Sequence, residues 1–306
     1  MNTFDLQIQS TASDGAHTPA ECVRMAKQNN VHTIAITDHD TVGGVAEAVA
    51  AGEELGVRVI PGIEFSCHHG ELGIHLLGYG IDLKHDPLLE AIERIRVSRI
   101  ARAQEVVRRL QELGFVVEYE NVARRAKGGV VGRPHITYEI LENLANRERL
   151  GSIQTMHDFI VEYISPGKLA YVEAHDFDSR QAIRLIHGAG GVAVWSHPAV
   201  HFPETRQGLE ATLKELIGFE LDGLEVFNPS HDELATRTLY SLSERYGLLR
   251  TAGSDFHRES ESPAGAPWPR AASALGDYPT FDRSTDDILQ RLEIAMDKRR
   301  AVAPPK

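Results

Sequence analysis

The sequence predicts an α/β fold, read as either a parallel sheet or an α/β barrel, that carries a helical insertion. Three observations predict it. Over the first eighty residues strand-like and helix-like patterns alternate, as βα units do. From about Pro87 to Pro166 the strand signals fade and helical patterns take over. The βα rhythm then returns and runs to the SDFH stretch at 254–257. A length of 306 residues suits a barrel, or a domain with an insertion, better than one minimal domain.

Taken in order, FDLQIQSTASDG (4–15) opens with a strand in which Phe4, Leu6 and Ile8 alternate with polar residues. Side chains two apart on a strand share a face, so Gln7 and Gln9 point the same way, ahead of a polar turn with Asp14. TPAECVRMAKQNN (18–30) reads as a helix with Thr18 as N-cap and Pro19 as its first residue. VHTIAITDHD (31–40) is a strand ending in acids and a histidine, and GGVAEAVAAGEELG (43–56) is an alanine-rich helix. VRVIPGIEFSC (57–67) and ELGIHLLGYGID (71–82) are strands carrying Glu64 and His75. A long amphipathic helix follows at 88–114, with Gly114 as its stop, and reads as packing with a solvated face rather than an RNA-binding arm. In the last part, 179–191 and 232–247 are helices, and 192–198, 221–231 and 248–257 contain strands. The Pro-, Gly- and Ala-rich stretch 261–277 reads as a loop.

Composition narrows the function class. The formal net charge is −12, so the global field attracts neither nucleic acid nor an anionic membrane. A phosphate substrate would need a local positive source, such as metal ions or a few arginines. Two cysteines argue against a disulfide framework or a Cys-rich zinc module. No signal-peptide pattern and no apolar run of membrane-spanning length are visible, so a reducing, cytoplasmic compartment is expected. Fifteen histidines are the unusual number.

The polar groups share one address. Asp14, His39, Glu64, His197, Asp255 and His257 follow the apolar part of predicted strands, and His75 lies within one. In an α/β barrel the C-terminal strand ends gather at one face, where the active site sits. So many carboxylates in one dry pocket would repel each other, and neutral imidazoles would lack partners. Divalent cations solve both problems, and mixed imidazole and carboxylate ligation suits zinc, iron or manganese. Among the other histidines, His17, His32, His68, His69, His85, His157, His175, His187 and His201 read as surface, cap or loop residues.

These motifs resemble the polymerase and histidinol phosphatase (PHP) family. The resemblance rests on SDG (13–15), TDHD (37–40), GIEFS (62–66), IHLLGYG (74–80), SHP (196–198) and GSDFH (253–257), in that order over most of the chain. GRPHI (132–136) and NPSH (228–231) look like the subgroup of nucleoside 3′,5′-bisphosphate phosphatases, some of which also trim short RNA from the 5′ end. The resemblance implies a distorted (β/α)7 barrel, formed by 1–86 and 167–306, with a helical insertion domain at 87–166. It implies a site of typically three metals. One would be held by Glu64, His75 and His197, another by Asp14, His39 and His257. The first would use Glu64 as a bridge, Asp255, and the two histidines of an opening His-x-His. Those two positions are Gln7 and Gln9 here.

A glutamine carbonyl is a neutral, weak, hard ligand, so the first position is expected to be weakened, empty or shifted toward a hard metal. Two or three divalent ions per chain are expected, manganese first, with zinc, iron or magnesium as alternatives. The implied activity is hydrolysis of a phosphomonoester, the 3′-phosphate of a nucleoside 3′,5′-bisphosphate and also short 5′-phosphorylated RNA, with a metal-activated hydroxide attacking phosphorus. Arg133 would contact the phosphate, His135 would supply a second phosphate contact or a proton for the leaving group, His257 would count with these two as catalytic, and Asn228 and His231 would touch substrate. Partners are a small nucleotide or short RNA, with no membrane and no stable duplex DNA. A disabled enzyme that binds nucleotide phosphate without turnover is the alternative, and a regulatory scaffold is the third reading.

Overall fold

The computed structural model describes residues 2–126, 129–173, 177–202, 208–259 and 272–302. His175 and most of the 261–277 stretch lie outside them. The strands are β1 (Phe4–Ile8), β2 (Thr33–Ile36), β3 (Arg58–His69), β4 (Leu72–Tyr79), β5 (Val192–Trp195), β6 (Gly223–Phe227) and β7 (Leu249–Ala252). They form one seven-stranded sheet in sequence order. The sheet curls until β1 meets the segment after β7. There Gln9 N–H donates to the Phe256 carbonyl at 2.9 Å, and Phe256 N–H to the Gln7 carbonyl at 3.4 Å. At that seam a Cβ on Gly253 would lie 2.5 Å from the Gln7 Cβ, so only glycine lets the two backbones approach.

The barrel is not wholly parallel, which corrects the expectation of a parallel sheet. β3 and β4 are antiparallel, as are β4 and β5, while the remaining pairs are parallel. The cause is local. Only Gly70 and Glu71 separate β3 from β4, a two-residue connection that folds a hairpin and cannot make a crossover. The reversal places His75, early in β4, opposite Ser66, so it reaches the same barrel end as the later residues of its neighbours.

Helices cover the sheet. They are α1 (Pro19–Gln28), α2 (Val45–Leu55), α3 (Asp86–Glu112), α4 (Tyr119–Arg125), α5 (Arg133–Glu142), α6 (Arg147–Leu150), α7 (Met156–Phe159), α8 (Ser179–Gly188), α9 (Leu209–Gly218), α10 (Glu233–Tyr246) and α11 (Ile288–Val302). Thr18 caps α1 through a reciprocal capping box with Glu21, with Pro19 in its first turn. Asp178 and Asp232 cap α8 and α10. α9 and α11 were not read from the sequence.

Among the described residues the buried apolar side chains form three clusters: an extended barrel core, a smaller one around Val23, Ile34 and Ala48 from α1, β2 and α2, and a separate insertion core. Leu88, Ala91 and Ile95 from the start of α3 pack with the barrel. Val106, Val107 and Leu110 from its end pack with Phe115, Val122, Ile136, Ile140 and Phe159. Phe115, Phe159 and Tyr163 meet with ring centroids 4.9–5.5 Å apart, a geometry aromatic pairs favour. One 27-residue helix thus anchors the helical insertion to the barrel. No helix among the described residues is long and apolar enough to cross a membrane.

Candidate metal centre

Two sets of ligand-type side chains converge at one end of the barrel. Asp14, His39 and His257 form one, and His39, Glu64 and His75 the other, with ligand atoms in each set within 4.8 Å of one another. His197 extends the second set: its Nε2 lies 3.2 Å from Glu64 Oε1 and 3.2 Å from His75 Nδ1. Asp255 sits beside His257, 3.8 Å from its Nδ1, with a left-handed backbone at φ 51°.

The backbone that presents these groups is held by buried hydrogen bonds. Asp38 accepts from Ser10 N–H, Ser10 Oγ and Ser13 Oγ, each at 2.7 Å, and so fixes the turn that carries Asp14. In that turn a Cβ on Gly15 would fall 2.1 Å from the Gln9 carbonyl oxygen. His197 has φ 28°, a conformation costly for a non-glycine residue. Glu225 accepts its N–H at 2.8 Å. His257 Nδ1 faces the Asp255 carbonyl at 2.8 Å, which leaves Nε2 toward Asp14, 3.5 Å from Oδ1.

The donor set fits a divalent cation. Asp14 Oδ1, His39 Nδ1, His197 Nδ1 and Asp255 Oδ1 are buried and make no hydrogen bond. Buried polar atoms are rarely left so unless an ion or ligand completes them. Burial raises the Asp14 pKa, but the charges of His257 and then His39 outweigh it and hold the carboxyl below its usual value. Burial likewise opposes ionisation of Glu64, and the charge of His39 with hydrogen bonds from His197 and His75 leaves it well below the ordinary range. Two ionised carboxylates among imidazoles match the preference of manganese, iron or zinc.

The opening strand behaves differently. Gln7 Nε2 lies 3.1 Å from Glu64 Oε2 and 2.9 Å from Ser196 Oγ. Gln9 Nε2 lies 2.5 Å from the same Glu64 Oε2. Asn228 joins the site through Gln7. Its Nδ2 donates to Gln7 Oε1 and Glu225 Oε2, and its Oδ1 accepts from Ser230 N–H. His231 is wholly buried, with Nδ1 3.0 Å from the Val226 carbonyl. Both side chains are buried.

Arg133 and His135 open α5 beside the Asp14 turn. A Cβ on Gly132 would lie 3.9 Å from both Asp14 Oδ2 and His135 Nδ1. Gly132 N–H donates to His135 Nδ1 at 3.0 Å, so a neutral His135 carries its proton on Nε2. Burial lowers the His135 pKa against the pull of Asp14, which favours that neutral form. Arg99, on α3, was not singled out from the sequence. It pairs with buried Asp40 through Nε at 2.7 Å and reaches Ser66 Oγ at 2.8 Å. Ser196 and Glu225 were also not singled out, and His201, read from the sequence as a surface, cap or loop residue, has a buried Nε2. The SHPAVH spacing puts His201 one helical turn after His197, their rings 5.9 Å apart.

The PHP domain pattern matches residues 5–189. A 3′,5′-nucleoside bisphosphate phosphatase of Chromobacterium violaceum is 31% identical over 264 residues, covering 85% of this chain and 89% of that protein. A 5′-3′ exoribonuclease of Escherichia coli is 32% identical over 257 residues, covering 83% and 85%. The solved structure of a predicted metal-dependent phosphoesterase from Bifidobacterium adolescentis superimposes with a TM-score of 0.79 at 26% identity, over 95% of this chain and 96% of that one.

Proposed function

The chain belongs to the PHP domain family and is a metal-dependent phosphoesterase, and on that premise we propose that it removes a phosphomonoester, the 3′-phosphate of a nucleoside 3′,5′-bisphosphate, and acts on short 5′-phosphorylated RNA. The observation that carries this reading is the meeting of Asp14, His39, His257, Glu64 and His75 with the α5 N-terminus that bears Arg133 and His135. Residues 87–166 are taken as the insertion domain that brings those last two to the barrel, 1–86 and 167–306. The related bisphosphate phosphatase and exoribonuclease point to the same substrate chemistry.

We assign the ligands as Asp14, His39 and His257 for one ion, and Glu64, His75 and His197 for another, with Asp255 beside them. Manganese is the expected ion. When bound, divalent ions there would activate water at neutral pH and offset the phosphoryl charge. The position at Gln7 and Gln9 is weakened. The Arg133 guanidinium presents a planar fork suited to two phosphate oxygens. His135, with its proton on Nε2, donates to a phosphate oxygen or to the leaving group. Asn228 and His231 act as supports rather than direct substrate contacts.

Phosphate release from adenosine 3′,5′-bisphosphate with added manganese tests the reading. Turnover that rises with manganese is expected, and Arg133→Ala should raise KM by about 10- to 100-fold. A metal-loaded, folded protein that binds the nucleotide and releases no phosphate would favour the disabled enzyme instead. That alternative draws on one observation, the engagement of Glu64 by two glutamines.

A further inference from the structure

We infer that Gln7 and Gln9 replace a cation: their amide N–H groups clamp Glu64 Oε2, so this chain holds ions only at the Asp14/His39/His257 and Glu64/His75/His197 positions. The inference rests on the metal-dependent reading of the site and deepens it.

The orientation of the amides decides the matter, and a chain of hydrogen bonds anchored on backbone fixes it. Ser230 N–H donates to Asn228 at 2.8 Å, so the atom there is the amide oxygen, Oδ1. Asn228 Nδ2 must therefore face Gln7 at 3.2 Å and Glu225 at 3.1 Å. A donor faces an acceptor, so Gln7 presents Oε1 to Asn228 and turns Nε2 toward Glu64 and Ser196. Gln9 follows from distance alone. The atom 2.5 Å from Glu64 Oε2 can be an N–H donor but not a carbonyl oxygen, which a carboxylate oxygen would repel.

Both glutamine oxygens thus point away from Glu64, and an amide nitrogen is not a metal ligand. Glu64 Oε1 is met by Ser196 Oγ at 3.0 Å and faces His75 and His197, while Oε2 takes the two amides. One oxygen of the carboxylate is turned to His75 and His197, and the other takes both amide donors with His39 Nδ1 3.7 Å away. Gln7, Gln9, Ser196 and Asn228 are each 0–1% exposed, so the corner is filled by protein. A cation between β1 and Glu64 would have to break both amide bonds and turn both side chains around. The residues do not fit that ion.

The experiment counts metal in full-length protein loaded with manganese, gel-filtered and measured by plasma mass spectrometry. Wild type should hold two ions per chain, and the double variant Gln7→His/Gln9→His three. Three ions in wild type, or a double variant that gains none, would overturn the inference. Gln9→Met guards against a double variant that does not fold. It removes a donor from Glu64 while offering no hard ligand. The clamp requires an unchanged count of two and a lower melting temperature of the metal-free protein. A lost ion would mean that Gln9 was a ligand, and the inference would fail. Turnover of the bisphosphate nucleotide is read on the same samples. A count of two without turnover would sink the phosphatase reading and leave the clamp standing.

Discussion

His201, whose ring lies 5.9 Å from that of His197, couples the stability of the fold to pH. Its Nε2 is buried without a hydrogen bond. Burial, then the charges of His197 and His75, push its pKa down from 6.5 to about 3. The folded value lies below the unfolded one, so this group's contribution to stability is complete above about pH 6.5. It drains away as pH falls toward 3, because the unfolded chain accepts a proton that the folded site refuses. The slope is at most about 1.4 kcal/mol per pH unit. His201→Gln should therefore flatten the acid limb, with wild type losing more stability than the variant between pH 6.5 and 4.5 in urea unfolding. Parallel curves would mean that His201 is as solvated as a surface histidine. The two cysteines carry no comparable role: burial raises both thiols, which makes them poor nucleophiles.

At the level of elements, the insertion touches the turn that carries Asp14 directly. Val130 N–H donates to the Ala12 carbonyl at 3.1 Å, and a Cβ on Gly129 would lie 2.6 Å from that same oxygen. Backbone cannot yield as a flexible side chain can, so Gly129→Val should push α5 off the Asp14 turn. Expected are a loss of about 1–3 kcal/mol in stability and a fall in kcat/KM of about tenfold or more, since Arg133 and His135 move with α5. Unchanged kinetics would show that the contact is incidental. Much of this architecture was legible in the sequence, because helix caps and the 2.0 and 3.6 periods are local signals: Thr18, Pro19 and Gly114 mark real helix ends. The hairpin that reverses β4 was missed, although the two residues Gly70 and Glu71 announce it. The candidate ligands were legible because Asp, Glu and His are conspicuous at strand ends. Their supports were not. Asp38, Asp40 and Ser196 lie inside the TDHD and SHP stretches, but their roles come from partners far away in the chain, and nothing in the neighbourhood of Glu225 marks it.

For the whole molecule, the site lies where the barrel core and the insertion meet, and this makes metal binding a folding term. The groups that gather there, Asp14, Glu64, His39, His75, His197 and His257, are brought together only in the folded chain, so an ion that binds them stabilises the fold by mass action. At a hundredfold excess over Kd one site contributes about 2.7 kcal/mol, and two contribute about 5 kcal/mol. For a chain of 306 residues this corresponds to a melting shift of roughly 10 °C. The change should not be uniform. Glu64 already has its amide and hydroxyl donors without an ion, so the β1–β3 side of the barrel should keep its order after chelation. Asp14 has a buried oxygen without any hydrogen bond, and its turn is the one that Gly129 and Val130 rest on. Removing manganese should therefore loosen residues 10–17 and 129–135 first. Hydrogen exchange on the metal-loaded and chelated protein checks this: protection should fall in those two segments together while β1–β3 stays protected. Equal loss across the barrel would mean that the ions hold the whole fold rather than the joint between barrel and insertion. No loss in either segment would mean that Asp14 is not a ligand.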